Sequence, residues 1–345
     1  MKTFRTVLVA ASLSMALGGC AGAPLGQATA PAATPGVSKA TDGVGPTQKP
    51  APSAKTLPEG TTVIGSVALP ALLLPGDDAI WAAESTRILR LDPETDRASV
   101  VVSGLAAGHH ATVGVGDAIW SVDTEAATVT EYDAITGKLR TTLPVGKEPL
   151  EPVVAFGSLW VPNHHDGTLT RIDLETSSIA ATIEIGEAGR GGPSFMAAGA
   201  GLLWAVPGRG APLVGVNPDT NKVVTRMPGC ASGVGYAFDV LWLRDCEETA
   251  VEVRDPRNGD LLATVYVDVL SWPVEAQGKV WWPLRDGSPG TTTLVGVDPR
   301  TFAVTAEYVA MGSAESFAAG LDSFWFAGAT GSEVVRVRFS ALPRD

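Results

Sequence analysis

Basic residues are scarce in this sequence, and they do not cluster. The 345 residues include 25 Lys and Arg against 37 Asp and Glu, which gives a formal net charge of -12. A chain of this charge repels the phosphate backbone of nucleic acids, which proteins neutralise with Lys and Arg. We therefore expect no nucleic-acid partner.

Residue patterns typical of enzymes are also lacking. The chain has four His and three Cys, and neither residue occurs in an HExxH or CxxC spacing that would indicate a zinc site. No serine lies in a GxSxG turn, and no phosphate-binding loop or dinucleotide fingerprint is present. These absences favour a non-catalytic protein and predict no resident cofactor.

Long hydrophobic runs are missing too. The apolar stretch TVLVAASLSMAL follows the basic start MKTFR and is too short to span a bilayer as a mature helix. It leads into LGGC, residues 17–20, which resembles the lipobox of bacterial lipoproteins. That resemblance implies a signal peptide over residues 1–19 and lipidation of Cys20. Because Ala21 rather than Asp follows, it also implies sorting to the outer membrane in a cell that has one. The alternative is an ordinary signal peptide cleaved near Ala23.

Large apolar residues are rare in residues 20–59, where Pro, Ala, Gly, Thr and Ser dominate. Such a segment cannot bury enough surface to offset its conformational entropy. We interpret it as a disordered tether, and residues 60–345 as the folded domain. A lipid on Cys20 would be its only membrane attachment, at the periplasmic face of the outer membrane or at the cell surface.

The folded domain contains a repeat marked by tryptophan. A Trp preceded by an apolar residue recurs about every 40 residues, a period typical of propeller blades. An apolar stretch with small residues precedes each Trp, and an alternating strand and a turn that starts with Asp or Asn usually follow it. The repeat tryptophans are Trp81, Trp120, Trp160, Trp204, Trp242, Trp281 and Trp325.

The first six repeats each have the signals of four short strands. The sequence therefore predicts an all-β, seven-bladed β-propeller with four-stranded blades. The seventh repeat ends after three strands, at VVRVRFS. The unmatched segment at about residues 61–69 is similar to the fourth strands, so we expect it to complete the last blade and remove two exposed edges. Two separate all-β domains are the alternative, although no second linker interrupts the repeat.

The repeat resembles that of seven-bladed propellers from bacterial envelopes, the YVTN/YncE-like proteins and the virginiamycin B lyase-like group. The phrase NPDTNKVV, residues 217–224, and the apolar-Trp pairs carry the resemblance, which covers residues 61–339. It implies the fold but no single function, because related propellers host many tasks. The lyase-like group uses a His general base with a divalent cation. Its catalytic loop is not matched residue by residue here, so no catalytic residue is carried over.

One Trp at a fixed point of every blade is best explained by packing between blades, since burial of an indole stabilises the fold strongly. The alternative is a stacking platform for sugars or bases. Trp272 falls outside the repeat register, in a loop that leads into a blade. It is therefore a candidate for ligand contact.

In a propeller, the loops between blades and the turns joining second and third strands open on one face, here called the loop face. Aligning the repeats on Trp places His110 in the loop before blade two. The same alignment places His164 and His165 in the second-to-third-strand turn of blade three. Function concentrates in such loops. The ligand-face candidates are His110, Glu151, His164, His165, Arg244, Trp272, Arg285 and Glu315.

Three interpretations of the stretch NHHDG remain open. Its residues suit a tight turn, so they could be ordinary solvated loop residues. His110, Glu151 and one of His164 and His165 could hold a divalent cation, although adjacent residues of an extended segment point in opposite directions. A catalytic His–Glu pair is the third interpretation.

Cys230 and Cys246 fall in the loop before blade five and in its second-to-third-strand turn. Both positions belong to the loop face of one blade. A matched pair in an exported protein indicates a disulfide. Two free thiols are the alternative.

These observations predict a non-catalytic binding or scaffolding lipoprotein of the bacterial cell envelope, with a monomeric domain. An envelope protein, a small molecule or a polymer would bind at the loop face. The first alternative is a virginiamycin B lyase-like lyase or hydrolase that uses a His/Glu site, with or without a divalent cation. The second is a stabilising member of a larger envelope complex that binds through blade edges or the outer rim. A clustered His/Glu/Arg pocket would favour the enzyme, and scattered charges would favour the scaffold.

Overall fold

The computed structural model describes residues 61–66, 72–108, 110–189, 192–208, 210–247, 249–269, 273–284, 291–311, 316–327 and 333–342. These residues belong to one compact unit and form seven four-stranded antiparallel sheets. The predicted seven-bladed β-propeller is confirmed, and the alternative of two all-β domains is wrong. Within the described ranges the one helix is a 3-10 turn at Phe339–Ala341, and no helix is long and apolar enough to cross a bilayer.

The strands follow one another blade by blade. The N-terminal strand is β1 (Thr61–Ser66). Blades one to three contain β2 (Leu72–Pro75), β3 (Ile80–Ala83), β4 (Arg87–Asp92), β5 (Arg97–Ser103), β6 (His110–Val115), β7 (Ala118–Asp123), β8 (Thr128–Asp133), β9 (Leu139–Pro144), β10 (Val153–Ala155), β11 (Ser158–Asn163), β12 (Thr168–Asp173) and β13 (Ser178–Glu184). Blades four and five contain β14 (Phe195–Gly199), β15 (Leu202–Val206), β16 (Leu213–Asn217), β17 (Lys222–Met227), β18 (Ala231–Ala237), β19 (Val240–Asp245), β20 (Val251–Arg254) and β21 (Leu261–Val265). Blades six and seven contain β22 (Val274–Ala276), β23 (Lys279–Pro283), β24 (Thr291–Val297), β25 (Val304–Met311), β26 (Ser316–Gly320), β27 (Ser323–Ala327) and β28 (Glu333–Arg338).

The first strand of each blade lies nearest the axis of the propeller. Strand β2 contacts β6 and β26, and β14 contacts β10 and β18, so the first strands of neighbouring blades adjoin one another. Each chain segment that enters a first strand therefore starts at the loop face. The turn between first and second strands lies at the opposite end, which we call the turn face.

The turns between third and fourth strands begin with Asp or Asn, as the sequence predicts. In blade one, the carboxylate of Asp92 accepts hydrogen bonds from the N–H groups of Glu94 and Thr95, at 2.8 and 3.0 Å. The bond from Thr95 and the Arg90 guanidinium lower the pKa of Asp92 to about 2, because both stabilise the charged form. The same bonding occurs at Asp133, Asp173, Asn217 and Asp298.

The seventh sheet has the strand order β1-β28-β27-β26, so its fourth strand is the N-terminal strand. Strand β1 pairs antiparallel with β28, and Thr61 lies opposite Val337. Leu73 of blade one and Trp325 of blade seven belong to one buried hydrophobic cluster. Blades seven and one therefore pack directly against each other.

The repeat tryptophans form the core between blades. All seven are at most 2% exposed. Their burial confirms that they pack between blades, and the alternative of a stacking platform for sugars or bases is wrong. In five of them, Nε1 donates a hydrogen bond to the carbonyl five residues earlier, at 2.9 to 3.2 Å. Trp282 is buried as well and lies edge to face against Trp242, with 5.1 Å between ring centroids.

Two arginines join neighbouring blades in the same way. Arg171 of blade three donates to Asn221 Oδ1 of blade four at 2.9 Å. Arg336 of blade seven pairs with Asp96 of blade one at 2.8 Å. Each guanidinium also lies over the tryptophan of its own blade, 5.2 and 4.9 Å from the ring centroid. Each contact holds the third strand of one blade to the turn between the third and fourth strands of the next blade.

Candidate functional site

The two adjacent histidines lie in the turn between β11 and β12, where the sequence places them. His164 N–H donates to Glu148 O at 2.9 Å, and His165 N–H donates to Lys147 O at 3.2 Å. The carbonyls of the two histidines accept hydrogen bonds from glycines in the loop before blade four, at 2.9 and 2.7 Å. The turn therefore joins the inter-blade loops on either side of it.

The side chain of Asn163, the residue before the two histidines, fixes this turn through hydrogen bonds. The residue is fully buried, and its Nδ2 donates to the hydroxyls of Thr168 and Thr170, both at 2.9 Å. Its Oδ1 accepts the N–H of Gly146 at 3.1 Å. With its amide satisfied on both sides, Asn163 holds the turn against blade three and the preceding loop.

The side chain of His164 contacts the next blade. Its Nδ1 lies 3.0 Å from the Oγ of Ser194. Glycine is required at position 192 because a Cβ there would lie 2.1 Å from the carbonyl oxygen of His164. Ser194 is not among the ligand-face candidates, although it has the same repeat position as His110, ten residues before the tryptophan of its blade.

The side chain of His165 is more accessible, with 48% of it exposed. Its Nδ1 lies 3.4 Å from Asp166 Oδ1. Asp166 accepts the backbone N–H of Lys147 at 2.9 Å, and this bond lowers the pKa of the Asp166 carboxyl. The two histidines thus engage different partners, as expected for neighbouring residues.

Glu151, in the loop before blade three, has a buried carboxyl oxygen. The residue keeps partial exposure, but its Oε1 is sealed from solvent and has no hydrogen-bond partner within the described part of the chain. Burial disfavours the charged carboxylate and raises the pKa of Glu151 to about 7. A carboxyl group with this pKa can gain or lose a proton near neutral pH.

Arg244 joins blades five and six. Its Nε donates to Ser232 Oγ at 3.0 Å, and its Nη1 donates to the carbonyl of Val269 at 3.2 Å. Val269 lies in the loop before blade six. The guanidinium is therefore part of the structure of the loop face and is not free to reorient toward a ligand.

Cys230 and Cys246 form a disulfide, which confirms the predicted pairing. Their Cα atoms are 5.5 Å apart. The bond links the loop before β18 to the turn after β19, both on the loop face of blade five.

The position predicted for His110 is wrong in one respect. His110 is the first residue of β6 and pairs with Asp123, so it belongs to the sheet and not to the preceding loop. The strand pairing extends one residue beyond the apolar segment on which the prediction rests. Since Asp123 ends β7, His110 still lies at the loop-face end of blade two. The candidates outside the described residues are Cys20, Trp272, Arg285 and Glu315.

The structure brings some of the described candidates into contact with other residues but assembles no metal centre from them. His164 meets Ser194, and Arg244 meets Ser232. Among the side chains that the structure describes, no three of His, Cys, Asp or Glu lie together in a way that could hold a metal ion. The side chain of His110 is not among them.

A cavity of 1060 Å³ opens at the turn face. It is lined by residues at or near the first-to-second-strand turns of six blades, including Asp77, Phe156, Tyr236 and Asp322. The sequence predicts function at the loop face, and no motif in it predicts this cavity. The sequence carries one sign of this cavity, a bulky Phe156 in a hairpin turn where Asn, Asp or Gly is favoured. In the structure, Phe156 has a φ of 53°.

Comparison with known proteins identifies the fold. No protein-family model and no curated protein matches the sequence. Among solved structures, virginiamycin B lyase from Staphylococcus aureus has a TM-score of 0.62 and 12% identity, covering 80% of this chain and 98% of the lyase. BamB from Moraxella catarrhalis has a TM-score of 0.53 and 13% identity, covering 75% of this chain and 79% of BamB. The WD40 domain of Toxoplasma gondii coronin has a TM-score of 0.60 and 12% identity, with coverages of 79% and 81%.

At these identities the likeness defines the fold alone. The protein is a seven-bladed β-propeller of a kind that occurs in enzymes and in non-enzymatic proteins. Its function must therefore be argued from its own surfaces.

Proposed function

We propose that this protein is a non-catalytic binding or scaffolding lipoprotein of the bacterial cell envelope. Cys20 carries the lipid, and residues 20–59 form the tether. The propeller then presents its loop face to a protein partner. Non-catalytic binding is a common use of the propeller fold.

The bonds between neighbouring loops of the loop face carry this proposal. His164 reaches from blade three to Ser194 before blade four, and Arg244 reaches from blade five to the loop before blade six. The disulfide ties two further segments together in blade five. A surface held in this way loses little conformational freedom when a partner binds, which favours affinity.

Site-specific photo-crosslinking tests the proposal. A photoreactive amino acid at Lys147 lies exposed on the loop face, and one at Ile135 lies exposed on the turn face as the control. In cells that produce the full chain, we expect irradiation to give a discrete protein adduct from position 147 and none from position 135. Equal adducts from both positions, or none from position 147, would contradict a protein partner at the loop face.

The lipid anchor has its own test. Cys20→Ala removes the only thiol that the lipobox resemblance assigns to lipidation. The variant is expected in the soluble fraction and the unchanged chain in the membrane fraction. Retention of the variant in membranes would contradict anchoring through Cys20.

A lyase or hydrolase is the second candidate function, favoured by two features of the loop face. The pKa of Glu151, raised to about 7 by burial, suits a general acid or base at neutral pH. The hydroxyl of Ser194 lies 3.0 Å from the imidazole of His164, an arrangement that can activate a nucleophile.

Quinupristin is the first substrate to try, because a catalytically inactive variant of the Staphylococcus aureus lyase was solved with it. Mass spectrometry separates the reactions, since the products of a lyase together keep the mass of the substrate and hydrolysis adds one water. Turnover that is lost in Glu151→Gln and kept in Glu148→Gln would support this function. Equal turnover in both variants would remove Glu151 from the reaction.

A further inference from the structure

The cavity on the turn face has the size and position of a ligand site. The cavity has a volume of 1060 Å³ and lies on the axis of the propeller, between the turn-face ends of the first strands. Ligand pockets typically enclose about 300 to 1,000 Å³, so a small organic molecule fits within it. This site lies opposite the loop face and does not depend on the function proposed above.

The walls of the cavity carry negative charge. Asp77, Glu275 and Asp322 line it, and none of the described residues that line it is Lys, Arg or His. All three acidic residues are exposed to solvent. A ligand of positive charge is therefore favoured, and an anion is repelled.

Two of these carboxylates are held in fixed positions by backbone N–H groups. Asp77 Oδ2 accepts from Gly116 at 2.8 Å, and Glu275 Oε1 accepts from Phe238 at 2.7 Å. Asp322 has no side-chain hydrogen bond or ion pair with any described residue. Its carboxylate can therefore meet a ligand without losing a bond to any described residue.

Aromatic side chains complete the wall. Phe156 is 40% exposed, and Tyr236 and Phe339 also line the cavity. Phe156 and Leu321 both have left-handed backbone angles, with φ of 53°, which bulky residues rarely adopt. Ring faces attract organic cations through their quadrupole, whereas metal ions such as Ca²⁺ and Mg²⁺ require several oxygen ligands at once.

We propose that this cavity binds an organic cation, namely a protonated or quaternary amine carried on an apolar body. The carboxylates of Asp77, Glu275 and Asp322 attract the charge. Phe156, Tyr236 and Phe339 contact the cationic head and the apolar body.

Isothermal titration calorimetry with benzyltrimethylammonium chloride tests the proposal on the full chain in a neutral detergent. We expect saturable binding that weakens as NaCl is added, and no binding of the anion benzenesulfonate. Asp322→Asn should weaken binding about three- to tenfold through the lost charge, and Phe156→Ala should weaken it as well. The control is Asp219→Asn, an exposed carboxylate in a turn outside the cavity, which should leave the affinity unchanged.

Three results would overturn the proposal. They are the absence of saturable binding at millimolar ligand, equal weakening in Asp322→Asn and Asp219→Asn, and equal binding of the anion. Because Asp322 is exposed and makes no side-chain bond to the described residues, its variant is expected to unfold at the same temperature as the unchanged chain. A thermal melt of each variant verifies this.

Discussion

The loop face and the turn face of this propeller both bond polar side chains across blades, but they differ at the residues that border the cavity. On the loop face, His164, Arg244 and Asn163 are bonded to segments of the same or the next blade. On the turn face, Asp77 and Glu275 accept backbone N–H groups of neighbouring blades, whereas Asp322 borders the cavity without a side-chain bond to any described residue. The polar residues that stand out in the sequence, such as His164 and Arg244, therefore stabilise the loop face. The cavity is lined by turn residues, such as Asp322, that no sequence motif marks.

Backbone hydrogen bonding explains this difference. The loops between blades cannot satisfy their own N–H and C=O groups, so they bond to neighbouring loops and side chains, as the turn at His164 does. The first-to-second-strand turns are tight two-residue hairpins, such as Phe156–Gly157. Their outside backbone bonds are single ones, such as those of the Gly116 and Phe238 N–H groups to a carboxylate of the neighbouring blade. Their side chains remain available for other contacts.

The largest effect is expected from removing the disulfide of the loop face. The double variant Cys230→Ala/Cys246→Ala should lower the free energy of unfolding by about 3 kcal/mol, because the cross-link restricts the unfolded chain. The two residues are 16 apart in sequence. Urea unfolding of the oxidised protein and of the double variant measures the difference.

Reduction provides the matched control for this experiment. A reductant should move the midpoint of the unchanged chain to that of the double variant and leave the double variant where it is. A double variant as stable as the oxidised protein would show that the loop face does not depend on this bond.

Glu151→Gln should have the next largest effect, and its sign depends on pH. The folded-state pKa of Glu151, about 7, lies above its ordinary value, so the stability present in acid is lost as the pH rises toward 7. Glutamine resembles the neutral carboxyl group and does not ionise. The variant should equal the unchanged protein at pH 4.5 and exceed its stability at pH 8 by about 2 kcal/mol, which is less than the full pKa shift implies because Glu151 keeps partial exposure.

Urea unfolding at the two pH values measures this difference. The control is Glu148→Gln, an exposed carboxylate on the same loop, and its stability difference should not change between the two values. A Glu151→Gln variant that is less stable at pH 8 would show that the carboxylate has a partner in solution.

The fold was predictable because the residues that define its repeat act on parts of the chain close to them in sequence. A buried Trp and a capping Asp or Asn recur in nearly every blade, and both act within a few residues of the chain. The site was less predictable because its contacts join distant segments. The bond from His164 to Ser194 spans 30 residues and that from Arg244 to Val269 spans 25, and no spacing in the sequence encodes either one.

The smallest effect is expected on the turn face, from Phe156→Asn. Asn tolerates the left-handed angle of this position, with φ of 53°, better than Phe does. The Phe side chain is 40% exposed, so little burial is lost. The variant should be more stable by about 1 kcal/mol, measured by urea unfolding.

Ile135→Asn is the control, because Ile135 is an exposed apolar residue, 86% accessible, in a turn without a left-handed angle at that position. It should leave the stability within about 0.5 kcal/mol of the unchanged chain. If Phe156→Asn stabilises the fold and weakens benzyltrimethylammonium binding, the turn face holds Phe156 in a strained conformation for ligand contact. If the same variant destabilises the fold, Phe156 contributes to packing, and the contrast between the two faces disappears at this position.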